Sequence, residues 1–349
     1  MSGRRPTRSR SRSLTGATLA ALLALTAAGC SSADPAQGPE PGRGKAAVVQ
    51  GPAQAEPPSP YWVDPNSDAA RQVKAWEAAG RTADAGILKR ISERPVADWP
   101  AGDDPAPEIK NAVRGAAGDA RTVVLVAYNI PHRDCGQHSA GGAADAEAYR
   151  RWIGTFAESI GDAPAIVILE PDAVPHIVDG CTPVQHHAER AQLLSDAVDR
   201  LKKQPKTRVY LDAGNPAWID DPGKLVGPLR SAGVARADGV SLNVSNFQPD
   251  NAVKAYGTQL SGLLGGTHFV VDSSRNGNGP LPGNRRDSWC NPSGRALGTP
   301  PSDRTDAPLL DAHLWIKRPG DSDGPCRGGP TAGTWWPDYA LGLARRAKG

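Results

Sequence analysis

Residues 165–172 read AIVILEPD: five consecutive apolar side chains that stop at a glutamate, a proline and an aspartate. An apolar run without polar alternation suits a strand covered on both faces, as in a parallel sheet. The pattern recurs at Arg121–Tyr128 (RTVVLVAY), Arg208–Asp212 (RVYLD), Gly239–Asn243 (GVSLN), His268–Asp272 (HFVVD) and Leu309–Ile316 (LLDAHLWI). Helix-like segments separate these runs, at Ala144–Ile160, Val184–Lys203 and Asn251–Leu264. Such βα alternation with right-handed crossovers predicts an α/β fold, a parallel β/α barrel of the TIM type. Tyr61–Val63 offers one more strand. A doubly wound sheet is the alternative, but no G-x-G-x-x-G comes after a strand.

The polar residues just past each run carry the functional signal. The strand ends lead to Tyr128 and Asp134, to Glu170 and Asp172, to Asp212, Asn243 and Asp272, and finally to Lys317, Asp321 and Asp323. In a parallel barrel all of these lie on the face where active sites are built. Capping of strands and helices would account for one or two such residues, and six places are involved. Carboxylates gathered this way suit glycosidic bond hydrolysis, which needs a protonated acid at the leaving oxygen and a carboxylate assisting water. Asp172, on a stiff turn after Pro171, is the candidate acid, with a helix N-cap as the plain alternative. Asp134 is its neighbour, so that one of the two keeps a proton near neutrality. Asp323 is placed to accept from water. Arg133, next to Asp134, reads more simply as an ion-pair partner.

The chain has nine Trp against three Phe, and Trp99, Trp218, Trp289 and Trp315 fall in the same loops, a bias that fits stacking on sugar faces. His132, Asp134, Cys135 and His138 cluster locally, but no H-E-x-x-H or comparable spacing occurs, so no metal cofactor is expected. G-x-S-x-G is also missing, which argues against a serine nucleophile.

Residues 1–29 hold five arginines and no acids ahead of an apolar run, Leu14 to Ala28. They read as a signal peptide, with Arg4-Arg5 a weak twin-arginine signal. The run ends in Ala27-Ala28-Gly29-Cys30, so Cys30 is the candidate lipidation site of a cell-surface lipoprotein; ordinary cleavage and secretion is the alternative. Losing the five arginines turns the formal charge from +3 to −2, leaving no electrostatic footprint for nucleic acid. Residues 30–58, rich in Pro, Gly, Ala and Ser, read as a disordered tether. Residues 59–349 form one catalytic domain. Cys135, Cys181, Cys290 and Cys326 remain, an even set that suggests two disulfides in an exported chain, with three pairings open.

These residues resemble glycoside hydrolase family 6, the inverting cellulases, through YWVDPNSDAA, VAYNIPHRDCGQHSAGG, VILEPD, YLDAGNPAW, SLNVSNFQ, VDSSRNGNGP, SWCNPSGRALGTP, LDAHLWIKRPGDSDG and GTWWPDYALGLAR. The resemblance implies a distorted, incomplete barrel of seven strands with a substrate cleft over the strand ends. It implies Asp172 as general acid, Asp134 as the residue tuning it, Asp323 as the proposed base and Tyr128 as the ring-distorting tyrosine. Substrate contacts fall on Trp99, Trp218, Asn243, Trp289 and Lys317. Asp321 stands where the family often has Glu, one methylene shorter, at a sugar hydroxyl contact. Asp212 is structural or supports the acid. The disulfides correspond to Cys135–Cys181 and Cys290–Cys326. Asn215 replaces a usual His, Ala140 a usual Ser, and Asp98-Trp99-Pro100 stands where Trp followed by Phe is usual. Short loops at Asn276–Trp289 and Asp323–Trp335 resemble those of the endoglucanases, and no cofactor is implied. The expected substrate is a β-1,4-glucan or cello-oligosaccharide, with membrane association only through a lipid anchor. Alternatives are a cellobiohydrolase, a mixed-linkage β-glucanase, or a non-catalytic surface glycan-binding lipoprotein.

Overall fold

A computed structural model describes residues 59–283 and 287–348. The expected signal peptide, the candidate lipidation site Cys30 and the expected tether lie outside the described residues. Six parallel strands form one sheet in sequence order: β1 Val123–Ala127, β2 Ala165–Leu169, β3 Thr207–Asp212, β4 Gly239–Leu242, β5 His268–Asp272 and β6 Leu310–Leu314. Register is continuous from Val123↔Ala165 to Asp272↔Leu314, with one irregularity at Phe269/Val270.

Successive side chains point to opposite faces, and here both faces are buried. One set, Val124, Val126, Ile166, Ile168, Tyr210, Val270, Ala312 and Leu314, packs inward as the barrel core. The alternate set, including Leu125, Val167, Leu211, Leu242 and Phe269, packs outward against helices. This double burial explains why the strands read as unbroken apolar runs.

The expected helices are present as α4 Ala146–Ile160, α6 His187–Leu201 and α8 Asp250–Leu263. In α4, Tyr149, Trp152, Ile153, Phe156 and Ile160 recur at helical spacing on the buried face. Asp145 caps it by accepting from Ala148 N, and Gly161 ends it at φ 57°. Burial of each large apolar side chain contributes roughly 1.5–3 kcal/mol. Helices not anticipated are α1 Asp68–Ala78, α2 Thr82–Ser92, α3 Ala106–Ala117, α5 Pro175–Val178, α7 Gly223–Ser231 and α9 Pro337–Arg346. Of these, α1, α2 and α9 share a second core built on Val73, Trp76, Leu88, Ile91, Leu343 and Trp315. Trp315 is therefore a packing residue, with Nε1 donating to Thr299 O at 3.0 Å.

The strand expected at Tyr61–Val63 is a single parallel bridge, Tyr61 to Thr122. Pro60 and Pro65 flank it, and a proline cannot donate to a ladder. The gap between β1 and β6 is spanned instead by residues 97–98. Ala97 N donates to Trp315 O at 2.9 Å, Asp98 N donates to Val124 O at 2.9 Å, and Val126 N donates to Asp98 O at 2.8 Å.

Candidate functional site

Loops after the strand ends surround a groove of about 460 Å³. Lining it are Asp134, Asp172, Asp323, Tyr128, Trp99, Trp218, Trp289 and Lys317, eight residues singled out from sequence. Two others are not there. Asn243 is fully buried, its Nδ2 donating to Asp272 O at 2.8 Å and its Oδ1 accepting from Gln248 N at 3.0 Å. That side chain shapes the 243–248 turn and has no amide left for a ligand. Asp321 lines a neighbouring cavity of about 350 Å³ with Asp98, Arg318 and Trp335, and sits 3.4 Å from Arg318 Nε.

Three strand-end carboxylates lie beneath the groove and bind backbone. Glu170 accepts from Asn129 N and Ile130 N at 3.0 Å, fixing the turn after β1. Asp212 accepts from Asp172 N at 2.9 Å, holding the turn after β2. Asp272 accepts from Ser274, Ser245, Ile316 and Lys317 N–H groups at 2.9–3.2 Å, tying together the loops after β4, β5 and β6. Each satisfies donors that would otherwise be buried and unpaired. Burial pushes Glu170 up to about 7 despite its two backbone donors, and it raises Asp212 and Asp272 as well.

Non-glycine residues with positive φ ring the site: Asp134 at 53°, Asp172 at 71°, Asn243 at 66° and Ser245 at 55°. Such backbones persist only where surroundings over-determine them. Around Asp134 the surroundings are the disulfide Cys135–Cys181 and the bond from Ser139 N to Asp134 Oδ2 at 2.6 Å. Arg190 of α6 adds to these by donating to the carbonyls of Pro131 and His132 on one side and Ala173 on the other. The loop returns at Gly142, where φ is 97° and a Cβ would fall 2.0 Å from Ile130 O. Arg133 does not pair with Asp134; its guanidinium lies 4.7 Å over the Tyr128 ring and donates to Tyr128 O and Ser139 O. The second disulfide, Cys290–Cys326, anchors the loops bearing Trp289 and Asp323.

Asp172 and Asp323 have opposite electrostatics. Burial pushes Asp172 up to about 6; His176 pulls it down, Asp134 and Asp179 push it further up, and Lys317 pulls it down. Burial also acts to raise Asp323, but Arg275 at 2.8 Å and Lys317 at 3.4 Å outweigh it and hold the group below the usual carboxylate range. Asp172 can therefore donate a proton near pH 6, while Asp323 stays ionised. Burial raises the Tyr128 phenol well above its ordinary value, and the charges of Asp172 and Asp134 add to this. The Trp rings are held by their edges: Trp99 Nε1 donates to Ile316 O and Trp218 Nε1 to Asp179 Oδ2, each at 2.8 Å.

Sequence reasoning missed Arg275, fully buried three residues past β5, and the His176–Asp179 pair shortly after Asp172. A charged side chain a few residues past each strand end was the available signal. Two groups of three close N, O or S donors occur among the described residues. They are Cys135–His176–Cys181, whose thiols are consumed in the disulfide, and Asp134–Asp172–His176 on the groove floor.

Residues 57–347 match the sequence profile of glycosyl hydrolases family 6. Endoglucanase A of Cellulomonas fimi is 42% identical over 84% of this chain and 62% of that protein. Endoglucanase A of Thermobispora bispora is 40% identical, again over 62% of its length, so the chain spans about three fifths of these two relatives. Endoglucanase 1 of Streptomyces halstedii is 42% identical over 80% of this chain and 87% of that protein. Among solved structures, the endoglucanase Cel6 from Mycobacterium tuberculosis superposes with a TM-score of 0.75 at 41% identity. The match covers 83% of this chain and 97% of that one, which is in complex with methyl-cellobiosyl-4-deoxy-4-thio-β-D-cellobioside.

Proposed function

The chain belongs to glycosyl hydrolase family 6, and from that premise we propose that it hydrolyses internal β-1,4-glucosidic bonds of cellulose-type glucans with inversion at the anomeric carbon. The observation carrying this reading is a single groove that holds Asp134, Asp172 and Asp323 with Tyr128 and three Trp.

Asp172, protonated up to about pH 6, donates to the leaving glycosidic oxygen. Asp134 faces it as the neighbouring carboxyl that favours retention of that proton. A water attacks from the opposite face of the sugar, as inversion requires. Asp323, paired with Arg275 and Lys317, is a weak base; it supplies fixed negative charge to an oxocarbenium-like transition state and draws the water's proton through intervening waters. Tyr128, with Arg133 over its ring and Trp99 5.6 Å away edge-on, presses on the sugar at the cleavage point. Trp99, Trp218 and Trp289 offer ring faces to glucose units on either side, and Lys317 adds a polar contact.

The segment 97–98 takes the seventh strand's place in this reading of the barrel. Export belongs to the same proposal, with lipidation at Cys30 and a tether to residue 58; a polymer substrate too large to enter a cell and two disulfides support it.

With carboxymethylcellulose, viscosity falls much faster than reducing ends accumulate, and proton NMR of cellohexaose hydrolysis shows the α-anomer first. A β-anomer as first product overturns the mechanism. Calorimetric binding of cellohexaose without turnover overturns the assignment as an enzyme.

A further inference from the structure

His176, on the short helix α5, is 6% exposed, and the mechanism above gives it no part. Its Nδ1 lies 3.3 Å from Asp179 Oδ2. One ring nitrogen, one Asp134 oxygen and one Asp172 oxygen all lie within 4.8 Å of one another. The same ring sits beside the Cys135–Cys181 sulfurs, and its centroid is 4.9 Å from that of Trp218, nearly edge-on. Asp179 Oδ2 also accepts from Trp218 Nε1 at 2.8 Å, and Asp179 Oδ1 accepts from Cys181 N at 2.9 Å. The groups facing the ring are thus Asp179 at the end of its own helix and Asp172 from the turn after β2. Asp134 faces it from the loop after β1, and Lys317 and Asp323 from the loop after β6 complete the charged lining of the groove. Arg190 of α6 donates to Ala173 O and to Thr182 Oγ1, and Thr182 N in turn donates to His176 O.

A buried imidazole and two carboxyls this close lie within strong electrostatic reach of one another, so a charge on the ring bears directly on Asp172. We propose that His176 is a positioning residue for the reaction: clamped by Asp179, it governs how tightly the Asp172–Asp134 pair holds its proton. Because Asp179 also anchors Trp218, it further ties that proton to the sugar platform beside it. An imidazolium stabilises ionised Asp172, opposing the push from burial and from Asp134, and so keeps the acid ready to release its proton to the leaving oxygen. The proposal rests on Asp172 being the acid.

Two measurements test it. The first is the pH profile of kcat/KM on a soluble cello-oligosaccharide, whose descending limb reports the acid of the free enzyme. In His176→Gln the cation is gone, ionised Asp172 is less favoured, and that limb moves to higher pH by about one unit. A fall in activity with the limb unmoved means the ring only packs, and overturns the proposal. The second is the NMR titration of the imidazole whose signal disappears in His176→Gln. In Asp172→Asn, which keeps His176, its midpoint moves to lower pH because a neighbouring negative charge is lost. An unmoved midpoint overturns the proposal even if His176→Gln fails to fold. Full activity of Asp172→Asn on an unactivated glucan would defeat the function proposed above; the NMR coupling would still decide the role of the histidine.

Discussion

Glu170 and Asp172 stand two positions apart, and their carboxyls do different work. The strand-end set of Glu170, Asp212 and Asp272 points beneath the groove and accepts backbone N–H groups from the loops after neighbouring strands. The loop set of Asp134, Asp172 and Asp323 faces the groove itself. A parallel sheet that ends in loops leaves many N–H groups without a ladder partner, and buried carboxylates at the strand ends satisfy them. The strained turns they hold are what aim the second set. Acidic residues crowded at a barrel mouth are therefore scaffold and chemistry together, separated by whether the carboxyl lies beneath the groove or lines it, since Asp134 and Asp323 each accept one backbone N–H as well.

The largest effect expected separates the two sets by activity. Asp172→Asn lowers kcat on an unactivated glucan about 10²–10⁴-fold, the usual weight of a general acid. Its melting temperature holds or rises, since the fold disfavours ionisation at that position. Large loss of stability with activity retained would place Asp172 in the scaffold set and break the distinction.

The reverse signature belongs to Asp272→Ala. Four backbone N–H groups lose their acceptor, which costs about 3 kcal/mol or more. Urea or thermal unfolding shows this directly, and unchanged stability would mean that water replaces the carboxylate at no cost.

A smaller effect sharpens the comparison through pH. Glu170 titrates at about 7 in the fold, above the ordinary carboxylate value near 4.5. A carboxyl raised in this way contributes stability that is complete below about pH 4.5 and is lost as pH rises towards 7, an effect on the order of 3 kcal/mol. The melting temperature therefore falls between pH 5 and pH 8, and it falls less in Glu170→Gln. Asp172 and Asp98, raised to about 6 and about 7, add to the decline and keep it from vanishing in that variant. An equal slope in both proteins would show that Glu170 is ionised in the fold.

Much of this was legible along the chain. The apolar runs predict β1 to β6 because burial on both faces leaves no polar alternation, and α4 is visible in its 3.6-residue spacing. The helices α1, α2 and α9 were not, because each buries its apolar face in a satellite core assembled from both ends of the described domain, to which Trp76 and Leu343 both belong. At the site, Asp172 and Asp134 were found as strand-end acids, whereas the family resemblance marked Asn243 for substrate although its amide is spent on Asp272 O and Gln248. Arg275 was missed because nothing local shows that it runs beneath Phe247 to reach Asp323.

Strand order, helix alternation and the concentration of acids after the strands come from the sequence by itself, because side-chain period and burial are local properties of a segment. Which carboxyl meets solvent, and at what pKa, was decided only by the tertiary structure. Those outcomes depend on backbone donors and charges brought from tens of residues away, as Asp212 is to Asp172 N and Arg275 is to Asp323.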